Sequence, residues 1–213
     1  MSKPSPIVHI VDDDEFVRTA LGNLLSAAGY EVRTYNSGTE FFLSASKEKL
    51  GCIVLDVLMP GPSGLDLHET LTHSGNALPV IFLSGHGDIP MSVSAMKAGA
   101  VDFLTKPVDR VKLLNAIKEA LARSAGAASA NAELKILQLR FATLTARELH
   151  VFRGVVVGLL NKQIAAGLGT SERTVKIHRA HLMDKMQAKS LAELVRMASM
   201  LELPASGATP PAS

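Results

Sequence analysis

His9-Ile10-Val11-Asp12-Asp13-Asp14-Glu15 carries the chain from an apolar run, Pro6–Val11, straight into four consecutive acids. Like charges this close repel, and at the end of a buried strand they also lose solvation, which raises the cost. Two arrangements relieve it: the acids fan out into water, or a cation sits among them. Asp14 and Glu15 fit the first, as acids at a helix N-terminus where the dipole favours negative charge. The sequence around the motif bears on Asp12 and Asp13.

Downstream of the motif, short apolar runs alternate with helical patterns as far as residue 123. Strands are expected at Pro6–Val11, Glu31–Tyr35, Gly51–Asp56, Leu78–Leu83 and Val101–Leu104. Helices are expected at Glu15–Ala28, Thr39–Ser46, Leu65–Thr72, Pro90–Ala98 and Asp109–Arg123. Five strands alternating with five helices read as a doubly wound α/β sheet. Three of the runs (Ile7–Val11, Cys52–Leu55, Val80–Leu83) are almost wholly apolar, as central parallel strands covered on both faces require.

Composition sets the outer limits. The chain has 213 residues, 47 % of them hydrophobic, with no Trp and one Cys. A single Cys52 excludes an internal disulfide framework and fits a reducing, cytoplasmic compartment. No signal-peptide pattern and no long uncharged apolar run is present, so no membrane span is expected. Charge divides unevenly: residues 1–125 hold 11 Lys and Arg against 14 Asp and Glu, and residues 126–213 hold 11 against 6. An acidic first part and a basic second part point to two domains with different partners, the second to nucleic acid.

Ligands of open parallel sheets bind beyond the carboxyl ends of the strands. Asp12 and Asp13 end the first expected strand, Asp56 the third and Ser84 the fourth, and Lys106 follows the fifth. Three carboxylates with no Cys make a hard oxygen site suited to Mg²⁺. A carboxylate can take up a phosphoryl group as an aspartyl phosphate, with a cation, an ammonium and a hydroxyl stabilising the transferring oxygens.

The stretches "VDDD", "VLDVLMPG", "FLSGHGD" and "VDFLTKP" resemble the motifs of a response-regulator receiver domain, over roughly residues 5–123. The resemblance implies that Asp56 is the phosphoacceptor and that Asp12, Asp13, Asp56 and the carbonyl of Leu58 hold Mg²⁺. It implies contacts from Ser84 and Lys106 to the phosphoryl oxygens and a switch formed by Ser84 and Phe103. It also implies a cis bond between Lys106 and Pro107. His86 would lie at the mouth of the site. His9, His68 and His73 lack a partner pattern and read as structural or exposed, and Cys52 as buried and inert.

The second half reads as all helix. Ser124–Glu133 is small and polar, a linker or an Ala-rich continuation of the preceding helix, and Leu134, Leu137 and Phe141 add a helical stripe. Thr145 and Glu148 have capping-box spacing. Helices follow at Asn161–Leu168, Glu172–Met186 and Ser190–Leu201, and the tail Pro204–Ser213 has no reason to fold. Two helices joined by Gly169-Thr170-Ser171 are a helix-turn-helix pattern, whose second helix enters the major groove. Val175, Leu182 and Met186 would form its inward stripe. "LTARE", "NKQIA" and "TVKIHRAHLMDKM" resemble the LuxR/NarL/FixJ-type output domain over residues 142–203. That resemblance implies Lys176, Ile177 and Ala180 as groove-facing positions; Ala180 departs from members with a long polar residue there. Lys162, Arg173, Thr174 and Lys185 are expected at phosphates, and Arg179 and His181 belong to the same cationic helix face.

Together these readings give a receiver domain at 1–123, a helical linker at 124–141, a helix-turn-helix domain at 142–203 and a disordered tail at 204–213. The whole resembles a two-component response regulator of the FixJ/NarL family, on its FixJ/StyR/TodT-like branch. Such a protein accepts a phosphoryl group on Asp56 from a sensor histidine kinase, forms a homodimer on activation, binds promoter double-stranded DNA and engages the transcription machinery. It is not an enzyme acting on other substrates. A Mg²⁺-dependent phosphatase using Asp56 is the rival, but such enzymes commonly carry a second Asp two residues on, where this chain has Leu58. A receiver that works without phosphorylation is the other rival.

Overall fold

A computed structural model describes residues 5–45, 50–74, 78–85 and 89–202. The chain divides into two compact units, residues 1–129 and 130–213. In the first unit the order is β1 (Ile7–Val11), α1 (Glu15–Ala27), β2 (Glu31–Tyr35), α2 (Gly38–Ala45), β3 (Gly51–Asp56), α3 (Gly64–His73), β4 (Val80–Ser84), α4 (Ile89–Lys97) and β5 (Asp102–Thr105). All strand pairs are parallel, in the order β2-β1-β3-β4-β5.

The central strands are apolar on both faces because helices cover both. Ile53, Leu55, Val80 and Phe82 pack with Phe41, Leu67, Leu71 and Ala95 of α2, α3 and α4. The alternate residues Cys52, Val54, Ile81 and Leu83 pack with Leu21 and Leu25 of α1 and with Leu113 and Ile117 of the helix after β5. β4 begins at Val80, two residues later than its apolar run, because Pro79 has no N–H to give to a ladder. β5 is shifted by one residue relative to the sequence reading and extends to Thr105, which pairs with Ser84.

The helix after β5, α5 (Arg110–Ala142), is 33 residues long and includes the Ala-rich stretch from Ser124. Alanine has the best helix propensity, so small side chains do not end a helix. In the second unit follow α6 (Ala146–Val156), α7 (Asn161–Leu168), α8 (Glu172–Met186) and α9 (Leu191–Met200). Leu137 and Phe141 of α5 pack with Val151, Phe152, Ile164, Val175, Leu182, Met186 and Leu194 in one core. His86 and the tail 204–213 lie outside the described residues.

Two local features carry consequences. Gly64 opens α3 directly beneath the end of β3, where an added Cβ would stand 2.2 Å from the carbonyl oxygen of Asp56. Leu160 occupies the N-cap of α7, exposed, with no side-chain acceptor for the helix's first N–H groups; its own N–H donates to Gln163 Oε1 at 2.8 Å and its carbonyl accepts from the Ile164 N–H at 3.1 Å. Gly64→Ala should therefore destabilise the first unit by at least about 2 kcal/mol, measured by thermal unfolding. Leu160→Ser should raise the stability of the second unit by about 1 kcal/mol, since it restores the missing cap.

Candidate phosphoacceptor site and nucleic-acid interface

The strand order reverses direction at β1, with β2 on one side and β3 on the other, so the crevice lies beyond the carboxyl ends of β1 and β3. Val11 and Leu55 are register partners, which sets Asp12 beside Asp56. Carboxylate oxygens of Asp12, Asp13 and Asp56 lie within 4.8 Å of one another. Asp12 is fully buried, Asp56 nearly so, and Asp13 is exposed.

Lys106 is the cation among the acids. Its Nζ donates to Asp12 Oδ2 at 2.6 Å and to Asp56 Oδ2 at 2.8 Å. The backbone delivers it there: Lys106 N–H donates to the Ser84 carbonyl at 2.7 Å, and the Lys106–Pro107 bond is cis. Burial pushes the Asp12 pKa up, opposed by Lys106 and by the Asp14 N–H. Burial pulls the Lys106 pKa down, but the bonds to Asp12 and Asp56 outweigh it and the net shift is upward. The β1–α1 turn is held from three sides. Asp14 N–H donates to Asp12 Oδ1 at 3.0 Å, Arg18 donates to the Asp12 carbonyl at 2.7 Å, and the Asp14 carboxylate caps α1. Arg18 is a contributor the sequence reading did not single out.

The other expected site residues sit around this cluster. Ser84 is buried at the end of β4, next to β3. Leu58 N–H donates to Asp56 Oδ1 at 3.2 Å, and its side chain is exposed. Phe103 is half-buried against Phe82, with ring centroids 6.5 Å apart. The donor set fits Mg²⁺, because two buried acids and one exposed acid offer hard oxygens at one edge with the exposed member toward solvent. His9 is buried between the Tyr35 and Phe41 rings, 3.1 Å from the Tyr35 hydroxyl; burial and then Arg33 lower its pKa to about 4. His68 is buried against Phe82, and burial lowers its pKa. Cys52 is buried and its thiol is pushed up to about 12, so it stays protonated.

In the second unit the Ser171 hydroxyl caps α8, and Val175, Leu182 and Met186 are its buried face. Arg173, Lys176, Ile177, Ala180 and His181 form an exposed stripe, joined by exposed Lys162 on α7. Ile177 is 49 % exposed, so its side chain is free to meet a thymine methyl. Three expected contacts are otherwise engaged. Thr174 is half-buried and bonded to the Ser171 hydroxyl at 2.9 Å, and Arg179 reaches Asn161 Oδ1 at 3.4 Å. Lys185 donates to Glu148 Oε2 at 2.6 Å.

Residues 8–118 match the response regulator receiver domain, and residues 142–198 match the bacterial regulatory proteins of the luxR family. Over 93 % of its length the chain is 46 % identical to Nodulation protein W of Bradyrhizobium diazoefficiens, covering 88 % of that protein. It is 45 % identical to the transcriptional regulatory protein FixJ of Azorhizobium caulinodans, over 95 % of this chain and 97 % of the relative. A low-resolution structure of the response regulator StyR superposes with a TM-score of 0.80 at 45 % identity, covering 92 % of this chain and 99 % of that one. The chain belongs to the response regulators that join a receiver domain to a luxR-family regulatory domain. No helix among the described residues is long and apolar enough to cross a membrane.

Glu148 supplies a pH test. Burial pushes its pKa up, but Lys185 and the N–H and hydroxyl of Thr145 more than offset this, and it falls from 4.5 to about 2. Because the folded value lies below the unfolded one, this carboxylate's contribution is complete above pH 4.5 and is lost as pH falls toward 2. Thermal unfolding of Glu148→Gln should therefore start from a lower Tm at pH 7 and lose less than the wild type across that window.

Proposed function

We propose that this chain is a phosphorylation-switched transcription factor in which Asp56 accepts a phosphoryl group from the phosphohistidine of a sensor histidine kinase. The observation that carries this reading is the cluster of Asp12, Asp13 and Asp56 with Lys106 bonded to two of the three. An Asp56 oxygen attacks phosphorus, the P–N bond of the donor breaks, and its electron pair leaves with the imidazole nitrogen, which takes a proton. Lys106 already lies on Asp56 and turns to the oxygens of the new aspartyl phosphate. The Ser84 hydroxyl serves a second oxygen from the neighbouring strand end. Asp12, Asp13, Asp56 and the Leu58 carbonyl would hold Mg²⁺, which would supply charge stabilisation to the transferring phosphoryl group. The chain promotes only its own phosphorylation and dephosphorylation.

Loss of the Lys106–Asp56 pair and movement of Ser84 toward the phosphoryl group draw the half-buried Phe103 further inward, which rearranges the face formed by residues 89–110. Residues 1–123 form the receiver, 124–141 the linker and 142–203 the DNA-binding domain. Two activated chains pair, and each places α8 in a major groove, so two modest half-site affinities multiply. Lys176, Ile177, Ala180 and His181 face base edges, and Arg173 and Lys162 face phosphates. The dimer then engages the transcription machinery in the cytoplasm.

The test uses the purified full-length chain with acetyl phosphate and Mg²⁺, and a duplex enriched by the same chain from a random-sequence pool. Solution mass should double and duplex affinity should rise by at least about tenfold on treatment, and Asp56→Asn should show neither change. Full duplex affinity before treatment, unchanged in Asp56→Asn, would contradict the phosphorylation switch.

A further inference from the structure

Lys185 lies on the helix assigned to the groove and carries a positive charge, yet its ammonium is turned to Glu148, with a third of the side chain still exposed. It donates to Glu148 Oε2 at 2.6 Å and to the Thr143 carbonyl at 3.2 Å. Glu148 is 3 % exposed, and the same Oε2 accepts from the Thr145 N–H at 2.8 Å and the Thr145 hydroxyl at 2.9 Å. One carboxylate oxygen thus caps the start of α6 and anchors the end of α8. The last turn of α8 has a second tether, Arg140 Nη1 donating to the Met186 carbonyl at 3.5 Å. Helical geometry agrees: twelve residues after Arg173, Lys185 stands about 120° round the helix from it, toward the buried Val175, Leu182 and Met186 side.

We propose that Lys185 is a positioning residue, which clamps the C-terminal turn of the recognition helix to buried Glu148 and the α5–α6 junction and makes no phosphate contact. The clamp sets the angle at which α8 presents Lys176 and Ile177. A buried carboxylate is tolerated only with its partners in place, so the pair has one permitted arrangement. This inference rests on the reading of α8 as the groove helix. A phosphate contact and a clamp leave different signatures. A phosphate contact adds to the salt dependence of binding and acts on all sequences equally. A clamp acts through geometry, so it changes the preference for one sequence over another.

The experiment compares the full-length wild type with Lys185→Met, Lys185→Arg, Glu148→Gln and the Glu148→Gln/Lys185→Met pair. Affinity is measured across a salt series for the pool-enriched duplex and for a scrambled duplex of the same composition. Lys185→Met should lose about tenfold on the enriched duplex and little on the scrambled one, with the log–log salt slope unchanged. Lys185→Arg should keep the preference, and the double variant should be no worse than Lys185→Met alone. The double variant leaves no buried unpaired charge, so it carries the comparison if Lys185→Met fails to fold. A salt slope reduced by about 0.9 with equal loss on both duplexes would make Lys185 a phosphate contact and overturn the proposal. Additive effects of the two single changes would also overturn it. A wild type that enriches no duplex at all would instead remove the groove assignment of α8, and this inference with it.

Discussion

Asp12 is fully buried and is held on every side, and the architecture of the first unit follows from how it is held. A lone carboxylate in such a place is costly, and a second and third beside it add repulsion. The ammonium of Lys106 resolves both at once by bonding Asp12 and Asp56 together. That bond requires β5 to end within reach of β1 and β3, which the parallel order β2-β1-β3-β4-β5 provides. It also requires the β1–α1 turn to keep one shape, and Arg18 and the Asp14 N–H fix it. Gly64 lets α3 begin close enough to leave Asp56 at the rim of the sheet. The acids of the first motif therefore take both routes that relieve repulsion: Asp14 turns to the helix terminus, and Asp12 meets a cation.

Much of this was legible in the sequence because it is written in local pattern. Almost wholly apolar runs mark strands covered on both faces, and the polar residue closing each run marks the sheet edge where a site assembles. β2 and β3 fall where the pattern places them, and so does α8. The inward stripe Val175, Leu182 and Met186 is also as read. Elements bounded by a weaker signal drifted by a residue or two. Pro79 blocks the start of β4, and the pairing of Ser84 with Thr105 extends β4 and β5 by one residue beyond their apolar runs.

What the pattern could not show is which of several like charges faces which partner. The pattern does not single out Arg18, and Lys185 reads as a phosphate contact, because the atoms they bond are a backbone carbonyl and a carboxylate 37 residues away. Period and composition locate a face but not a tertiary partner. On α8 the consequence is a division of labour among cations of similar appearance. Arg173 and Lys176 are exposed, Arg179 is turned to Asn161 at the start of α7, and Lys185 serves the core. Net positive charge in the second half thus overstates the charge available to a polyanion. The same distinction holds in the first unit, where Lys106 is the strand-end cation and belongs to the acids rather than to solvent.

The central claim is that Asp56, and no other carboxylate of the cluster, becomes phosphorylated. Its most direct test is to treat the full-length chain with acetyl phosphate, reduce the product with borohydride, and locate the resulting homoserine by peptide mass spectrometry. The account predicts homoserine at position 56 alone, dependent on Mg²⁺. Homoserine at Asp12 or Asp13, or none at any acid while DNA binding still responds to acetyl phosphate, would contradict it.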